Sequence, residues 1–155
     1  MLAFISDLPP LEQERIMCSI NASTRFNVPA NILLAVAEKE GGKPFLRVQN
    51  ENGTYDLGVM QFNTAYLRTL KKYGIDEHHV LVQGCYPYEL AAWRIAGHIK
   101  NDKGDIYERV SNYHSYTPKY NAIYRHDLIV KAKKWAIWLK KHFEVIVVKN
   151  GKIEK

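Results

Sequence analysis

One carboxylate of this sequence lies where a general acid would need to be. Glu40 ends an apolar helical segment, and helical periodicity places it near the centre of the arc that contains Leu33 and Val36, with Glu38 near the opposite side. Apolar surroundings and the negative end of the helix dipole both raise a carboxyl pKa, which keeps an acid protonated near neutral pH. A frayed helix end with Glu40 turned to solvent is the alternative, and periodicity alone favours that alternative.

The histidines and cysteines predict no metal site. His78 and His79 are adjacent, so on a helix their side chains point about 100° apart, and no third ligand is evident. Cys18 and Cys85 are widely separated and lack the CxxC spacing of metal ligands. They are either two buried thiols or a disulfide pair, and the spacing does not decide between these. We expect no metal and no cofactor.

Helical signals dominate the elements that would position Glu40. Prolines, N-capping residues and closing glycines predict helices over 11–26, 30–40, 63–73, 87–103, 105–113 and 118–139. Between Pro44 and Gln61 the pattern alternates around the turn dipeptide Asn52–Gly53, which predicts a small irregular hairpin. A weak hairpin is also predicted in the tail. We therefore predict a mostly α domain with one small irregular β-hairpin insertion, and such an insertion often carries a site.

Length and composition are those of one globular domain. The chain has 155 residues, 46% of them hydrophobic and 25% charged, which excludes a disordered, collagen-like or multidomain protein. No segment reaches the roughly 18 apolar residues of a membrane span. Residues 1–8 are apolar but short and lack a basic flank, so we expect no signal peptide here; a signal that has been removed would fit an exported protein.

The excess of positive over negative charge lies at one end of the chain. Residues 131–155 hold 8 Lys and Arg against 2 Asp and Glu, whereas residues 1–130 hold 14 of each, so the net charge of +6 lies in the last helix and the tail. Nucleic-acid binding would need basic residues interleaved with exposed rings, and we do not expect it. The basic tail, 144–155, is predicted to dock on an anionic wall, a membrane surface or a partner.

Two segments carry a resemblance to a known family. The stretch Ala35–Val36–Ala37–Glu38–Lys39–Glu40–Gly41–Gly42–Lys43–Pro44 is followed by Asn52–Gly53–Thr54–Tyr55–Asp56–Leu57–Gly58–Val59–Met60–Gln61–Phe62–Asn63. In order and spacing they resemble the core of the SLT-type lytic transglycosylases, most closely the small specialised ones of conjugation and secretion systems. The resemblance implies a lysozyme-like helical catalytic domain over residues 1–143, with Glu40 as its sole catalytic acid and base.

The same resemblance assigns roles to other residues, including a disulfide between Cys18 and Cys85. The segment around Tyr113 resembles one that faces the acid, where the tyrosine hydroxyl can bond the carboxyl or the substrate acetamide, and Tyr124 resembles a later tyrosine that closes the site. Gly41, Lys43, His114 and Ser115 depart from the family pattern, as does Val59, which replaces the usual leucine. The residues expected to bind substrate are Gly58, Val59, Met60, Gln61, Asn63, Tyr113 and Tyr124.

The function that this resemblance implies is cleavage of the β-1,4 bond between N-acetylmuramic acid and N-acetylglucosamine, with formation of a 1,6-anhydro sugar. Its expected partners are peptidoglycan glycan strands and components of a secretion or conjugation machine, and its expected location is periplasmic or exported. Two alternatives stay open. A lysozyme-like hydrolase would use Glu51 or Asp56 as a second carboxylate, although each is more simply a turn residue, and a non-catalytic scaffold would keep the groove without the reaction.

Overall fold

The computed structural model describes residues 5–154, which form a mostly helical fold with two small sheets. The helices are α1 (Pro10–Phe26), α2 (Ala30–Glu40), α3 (Thr64–Thr69), α4 (Glu77–Leu81), α5 (Tyr86–Asn101), α6 (Ile106–Ser111) and α7 (Pro118–His142), with a 3-10 turn at Lys71–Tyr73. The strands are β1 (Arg47–Gln49), β2 (Tyr55–Leu57), β3 (Phe62–Asn63), β4 (Val147–Lys149) and β5 (Lys152–Glu154).

The α2 helix is the centre of the core. All residues from Ala30 to Ala37 are buried, each at most 1% exposed. The helix packs against α1 on one side and α7 on the other. It ends at Gly41, which adopts the left-handed conformation at φ 59° and donates its N–H to the carbonyl of Ala37. This ending leaves Glu40 as the last helical residue, three residues beyond the fully buried segment.

The insertion after α2 is a three-stranded antiparallel sheet in the order β1-β2-β3. Its register pairs Arg47 with Leu57 and Leu57 in turn with Phe62. The predicted hairpin accounts for the first two strands but misses the third, because two residues are too few to show strand periodicity. The tight turn between β2 and β3 holds Gly58 to Gln61, so the sheet presents this turn beside the end of α2.

Two helical details differ from the prediction. The helix expected over 63–73 is divided into α3 and the 3-10 turn, although Asn63 caps its start by accepting from the N–H of Ala65. The five-residue α4 was not predicted, because it is too short for a periodic pattern. Asp76 and His79 stabilise it as a reciprocal capping box, in which the side chain of each residue bonds the backbone of the other.

The tail hairpin of β4 and β5 packs onto the domain. Val147 and Val148 are 0% and 1% exposed. The buried side chain of Asn31 in α2 donates to the carbonyls of Ala132 and Val148 and accepts from the N–H of Val148. One amide thus joins α2, α7 and β4, so β4 is part of the core, while Lys149 and all of β5 are exposed.

A covalent link joins α1 to the beginning of α5. Cys18 and Cys85, which the resemblance pairs, form a disulfide with their Cα atoms 5.0 Å apart. No helix within residues 5–154 is long and apolar enough to cross a membrane.

Candidate active site

Glu40 lies half-buried at the end of α2, and its carboxyl contacts the hydroxyl of Tyr124 from α7. The hydroxyl donates to Oε2 of Glu40 at 2.7 Å. Burial raises the pKa of Glu40 from 4.5 to about 7; the negative charge of Asp56 adds to the rise, while the Tyr124 bond and the charges of Arg94 and Lys39 oppose it. At neutral pH, some molecules therefore hold Glu40 as the neutral acid and others hold it as the carboxylate.

Two glycines bring the β2–β3 turn against the end of α2. A Cβ on Gly42 would lie 2.0 Å from the carbonyl oxygen of Gly58, and a Cβ on Gly58 would lie 2.1 Å from that of Val80. Gly58 also has φ +71°, which side-chain-bearing residues rarely adopt. Three backbones thus stack in direct contact, which fixes the turn relative to Glu40.

The turn residues place few side chains where a ligand could reach them. Val59 and Met60 are 5% and 0% exposed, so their side chains belong to the core. Gln61 is half-buried with φ 54°, and its Nε2 donates to the carbonyl of Gly58 at 3.0 Å. Within this expected groove segment, Gln61 is the residue whose side chain is partly accessible.

The hydroxyl of Tyr113 bonds the backbone of the turn. It donates to the carbonyl of Met60 at 2.9 Å, and Tyr113 is only 4% exposed. The sequence resemblance placed this hydroxyl on the carboxyl or the substrate acetamide, whereas Tyr124 makes the bond to Glu40. Tyr113 thus fixes the turn to the segment that follows α6.

Asn63 and Asp56 form a polar pair on neighbouring strands. Asn63 Nδ2 donates to Oδ1 of Asp56 at 3.0 Å, and Asn63 Oδ1 caps α3. Asp56 is half-buried and close enough for its charge to raise the pKa of Glu40. Glu51, the other candidate second carboxylate, is exposed in the turn between β1 and β2.

A match to a known family covers this whole arrangement. Residues 17–126 match the family described as the transglycosylase SLT domain. The chain belongs to this family. With it, the mostly helical, lysozyme-like fold expected from the sequence is confirmed.

Two relatives of this chain come from Salmonella and Shigella. Invasion protein IagB of Salmonella typhi is 38% identical over 69 residues, which are 44% of this chain and 43% of IagB. Protein IpgF of Shigella flexneri is 36% identical over 80 residues, which are 50% of this chain and 52% of IpgF. The chain thus spans about half the length of the curated relatives it matches.

His114, which departs from the SLT pattern, contacts Tyr124 through its ring. Its ring stacks on the ring of Tyr124, with centroids 4.8 Å apart and planes 8° from parallel. Lys39 also approaches this ring, with Nζ 5.6 Å from the centroid, and forms an ion pair of 2.9 Å with Asp127. The tyrosine that bonds Glu40 is thus held by a histidine ring and a lysine.

Sequence reasoning missed Arg94. Its guanidinium lies over the rings of Tyr66 and Tyr113, 3.9 and 4.3 Å from their centroids, and Nη2 donates to the carbonyl of Tyr113 at 2.9 Å. Its charge lowers the pKa of Glu40. No short motif marks this residue; the one available signal was an arginine in an otherwise apolar stretch of α5.

The described residues offer no metal centre. Across 5–154, no three His, Cys, Asp or Glu side chains are grouped so that they could hold an ion. The chemistry available beside the β2–β3 turn is that of a carboxyl able to give and take a proton, with a second carboxylate, Asp56, nearby.

Proposed function

We propose that this protein is a peptidoglycan lytic transglycosylase with Glu40 as its single catalytic acid and base. The observation that carries the proposal is the state of this carboxyl: it is half-buried, bonded by Tyr124 and has a pKa of about 7. A group with a pKa near the working pH can both donate and accept a proton, which is the requirement when one carboxyl performs two steps.

In the first step, protonated Glu40 donates its proton to the oxygen that links N-acetylmuramic acid to N-acetylglucosamine. The bond from C1 to that oxygen breaks, and the N-acetylglucosamine portion leaves as an alcohol. The acetamide carbonyl of the muramic acid residue stabilises the positive charge at C1. Tyr124 then donates to the carboxylate that remains on Glu40, and so stabilises the charge that develops there.

In the second step, the Glu40 carboxylate takes the proton of the C6 hydroxyl. The C6 oxygen bonds to C1 and displaces the acetamide oxygen, which gives a 1,6-anhydro sugar and restores protonated Glu40. No water is consumed, and no second carboxylate is needed. Asp56 contributes by electrostatic repulsion that keeps the pKa of Glu40 high.

Asp56 also supports one alternative, a lysozyme-like hydrolase. Inverting and retaining hydrolases use a second carboxylate as base or nucleophile, and Asp56 is near enough to Glu40 to affect its pKa. Its bond from Asn63 and its place on β2 hold it in a fixed position. This alternative predicts reducing sugar ends in place of anhydro ends.

We also propose a periplasmic or exported location, and local opening of the wall for a transport or secretion apparatus. The Cys18–Cys85 disulfide is typical of an oxidising compartment. The sequence resembles the transglycosylases of secretion and conjugation systems, and one relative is named an invasion protein.

The decisive experiment is digestion of purified peptidoglycan with mass spectrometry of the products. Wild type should release muropeptides with 1,6-anhydro ends, and Glu40→Gln should release none. Glu38→Gln is the matched control, because Glu38 lies on the same turn of α2 but bonds Lys134 and Trp135 instead. Reducing ends would indicate the hydrolase, and activity retained in Glu40→Gln would reject the assignment of Glu40.

A further inference from the structure

The outer face of α7 carries apolar side chains that the other described residues leave largely exposed. Ile123, Val130 and Ile137 are 63%, 60% and 63% exposed. They recur every seven residues, so they lie on one line along the helix and span about 21 Å. Leu128, Ala132 and Leu139 form the core face of α7 opposite this line, and Tyr124, which bonds Glu40, points about 100° away from it.

A basic row runs beside this line. Lys119, His126 and Lys133 are exposed, and each precedes one of the three aliphatic residues by four positions. Residues four apart are neighbours on a helix surface. The apolar line and the basic row are therefore adjacent and have the same repeat.

The other side of the line is also charged, but its charges are paired. Asp127 bonds Lys39 and Lys131, and Lys134 bonds Glu38. The apolar line is thus one residue wide over most of its length, with charged residues on both sides and the exposed ring of Tyr120 beside its first residue. The two lysines of the basic row add to a paired group that itself holds one more Lys than Asp and Glu, so this face is net positive.

We propose that the outer face of α7 is a docking surface for an acidic amphipathic helix of a partner protein. An apolar line that repeats every seven residues stays on one side of a helix, where a second helix can lie along it, and it supplies one of the two apolar positions of a packing heptad. Asp or Glu beside the apolar residues of the partner would complement the charge of the basic row. This surface is independent of the proposed reaction.

Two other occupants fit this face less well. A second copy of the chain, packed antiparallel through the same line, would bring two basic rows together, which is unfavourable; packed parallel, it would place the basic row against Lys134 and against Asp127, which is already paired. A helix that lies on a membrane buries a broad apolar face, typically wider than 100°, whereas here the apolar face is a single line. Both occupants are outcomes of the test below.

The probe is a synthetic, lactam-stapled helical peptide of three heptads, monomeric by design. Its apolar line carries leucine, and glutamate lies beside each leucine. A second peptide is identical except that lysine replaces the glutamates. Binding is measured by fluorescence anisotropy with the whole chain at low and at physiological salt. We expect the acidic peptide to bind and the basic peptide to bind at least tenfold more weakly.

Two double variants test the contributions of the apolar line and of the basic row separately. Ile123→Ser with Val130→Ser should weaken binding of the acidic peptide by about tenfold or more. Lys119→Glu with Lys133→Glu should reverse the preference, so that the basic peptide binds better. Ile153→Ser is the matched control, because Ile153 is a 54% exposed aliphatic residue in β5, away from α7. It should bind the acidic peptide as wild type does.

Three results would overturn the proposal. In the first, neither peptide binds, or the binding does not change in the Ile123→Ser, Val130→Ser variant. In the second, wild type binds phosphatidylglycerol vesicles, the Ile123→Ser, Val130→Ser variant does not, and neither peptide binds to wild type. In the third, sedimentation velocity shows a dimer that depends on Val130. The peptidoglycan digestion assay should be unchanged in all these variants, so that failure of the docking surface is distinguished from failure of the proposed reaction.

Discussion

The hydroxyl of Tyr124 donates a hydrogen bond of 2.7 Å to Oε2 of Glu40, across 84 positions of the sequence. The bond stabilises the charged carboxylate and so lowers its pKa, while burial raises it, and the balance is a pKa of about 7. Because α7 packs along α2, the two ends of this bond belong to the same rigid helix pair. Tyr124 thus contributes both to the positioning and to the pKa of Glu40.

We expect Tyr124→Phe to shift the pH dependence of activity. Loss of the hydroxyl removes a bond that lowers the pKa of Glu40, so the carboxyl should stay protonated to a higher pH. The alkaline limb of the pH–rate profile should therefore move upward. Because the carboxyl also loses its anchor, the maximal rate on peptidoglycan should fall about tenfold or more.

The matched control is Tyr120→Phe, one helical turn earlier on α7, where the ring is 53% exposed. Its pH–rate profile should coincide with that of wild type. An alkaline limb in Tyr124→Phe that stays in place, or moves to lower pH, would contradict the role of this bond.

Glu40→Gln should stabilise the protein at neutral and alkaline pH. The native pKa, about 7, lies above the ordinary value of 4.5. Below pH 4.5 the carboxyl is protonated in both states; as pH rises, the unfolded state loses its proton first, and stability falls until pH exceeds 7. Gln carries no such penalty. At pH 8 its free energy of unfolding should exceed that of wild type by up to about 3 kcal/mol.

Urea unfolding at pH 4 and pH 8 measures this effect. The difference between Glu40→Gln and wild type should be close to zero at the lower pH and positive at the higher one. Equal differences at both values would mean that the ionisation of Glu40 does not affect the free energy of unfolding.

The sequence predicted the long helices because each has a local boundary signal. Pro10 begins α1, Gly41 ends α2, and Asp105 caps α6 through the N–H of Glu108. The position of Glu40 also followed from periodicity, although the family resemblance was needed to prefer the buried reading. Signals within one or two turns of helix therefore predicted most of the elements.

What could not be predicted depends on contacts between distant segments. The bond from Tyr113 to the carbonyl of Met60 joins residues 53 positions apart, and Arg94 is placed by the rings of Tyr66 and Tyr113. The short α4 depends on one capping box. None of these has a periodic pattern, so only the folded chain reveals them.

Gly42→Ala should be strongly destabilising. The added Cβ would lie 2.0 Å from the carbonyl oxygen of Gly58, which is a backbone atom, and the position of a Cβ is itself fixed by the backbone, so neither atom can rotate away. The β2–β3 turn would have to move from the end of α2, so activity should fall together with stability. We expect a loss of about 3 kcal/mol or more in the free energy of unfolding.

Gly97→Ala is the control for this prediction. Gly97 lies inside α5, and an added Cβ there meets no atom within 4 Å. Alanine is the better helix former, so this variant should gain up to about 1 kcal/mol. Thermal melting of both variants is the measurement, and a Gly42→Ala variant as stable as wild type would mean that the backbone contact is not needed.

Removal of the disulfide should destabilise the chain without altering the chemistry. Cys18 and Cys85 close a loop of 67 positions, for which the loss of loop-closure entropy corresponds to about 4 kcal/mol. The double variant Cys18→Ala, Cys85→Ala should therefore unfold at a lower urea concentration than wild type, and reduction of the wild-type disulfide should have a similar effect. Neither cysteine is among the groups that bond Glu40 or shift its pKa, so muropeptide release from the folded variant should match wild type. A lower rate at a temperature where the variant remains folded would show that the disulfide also positions the site.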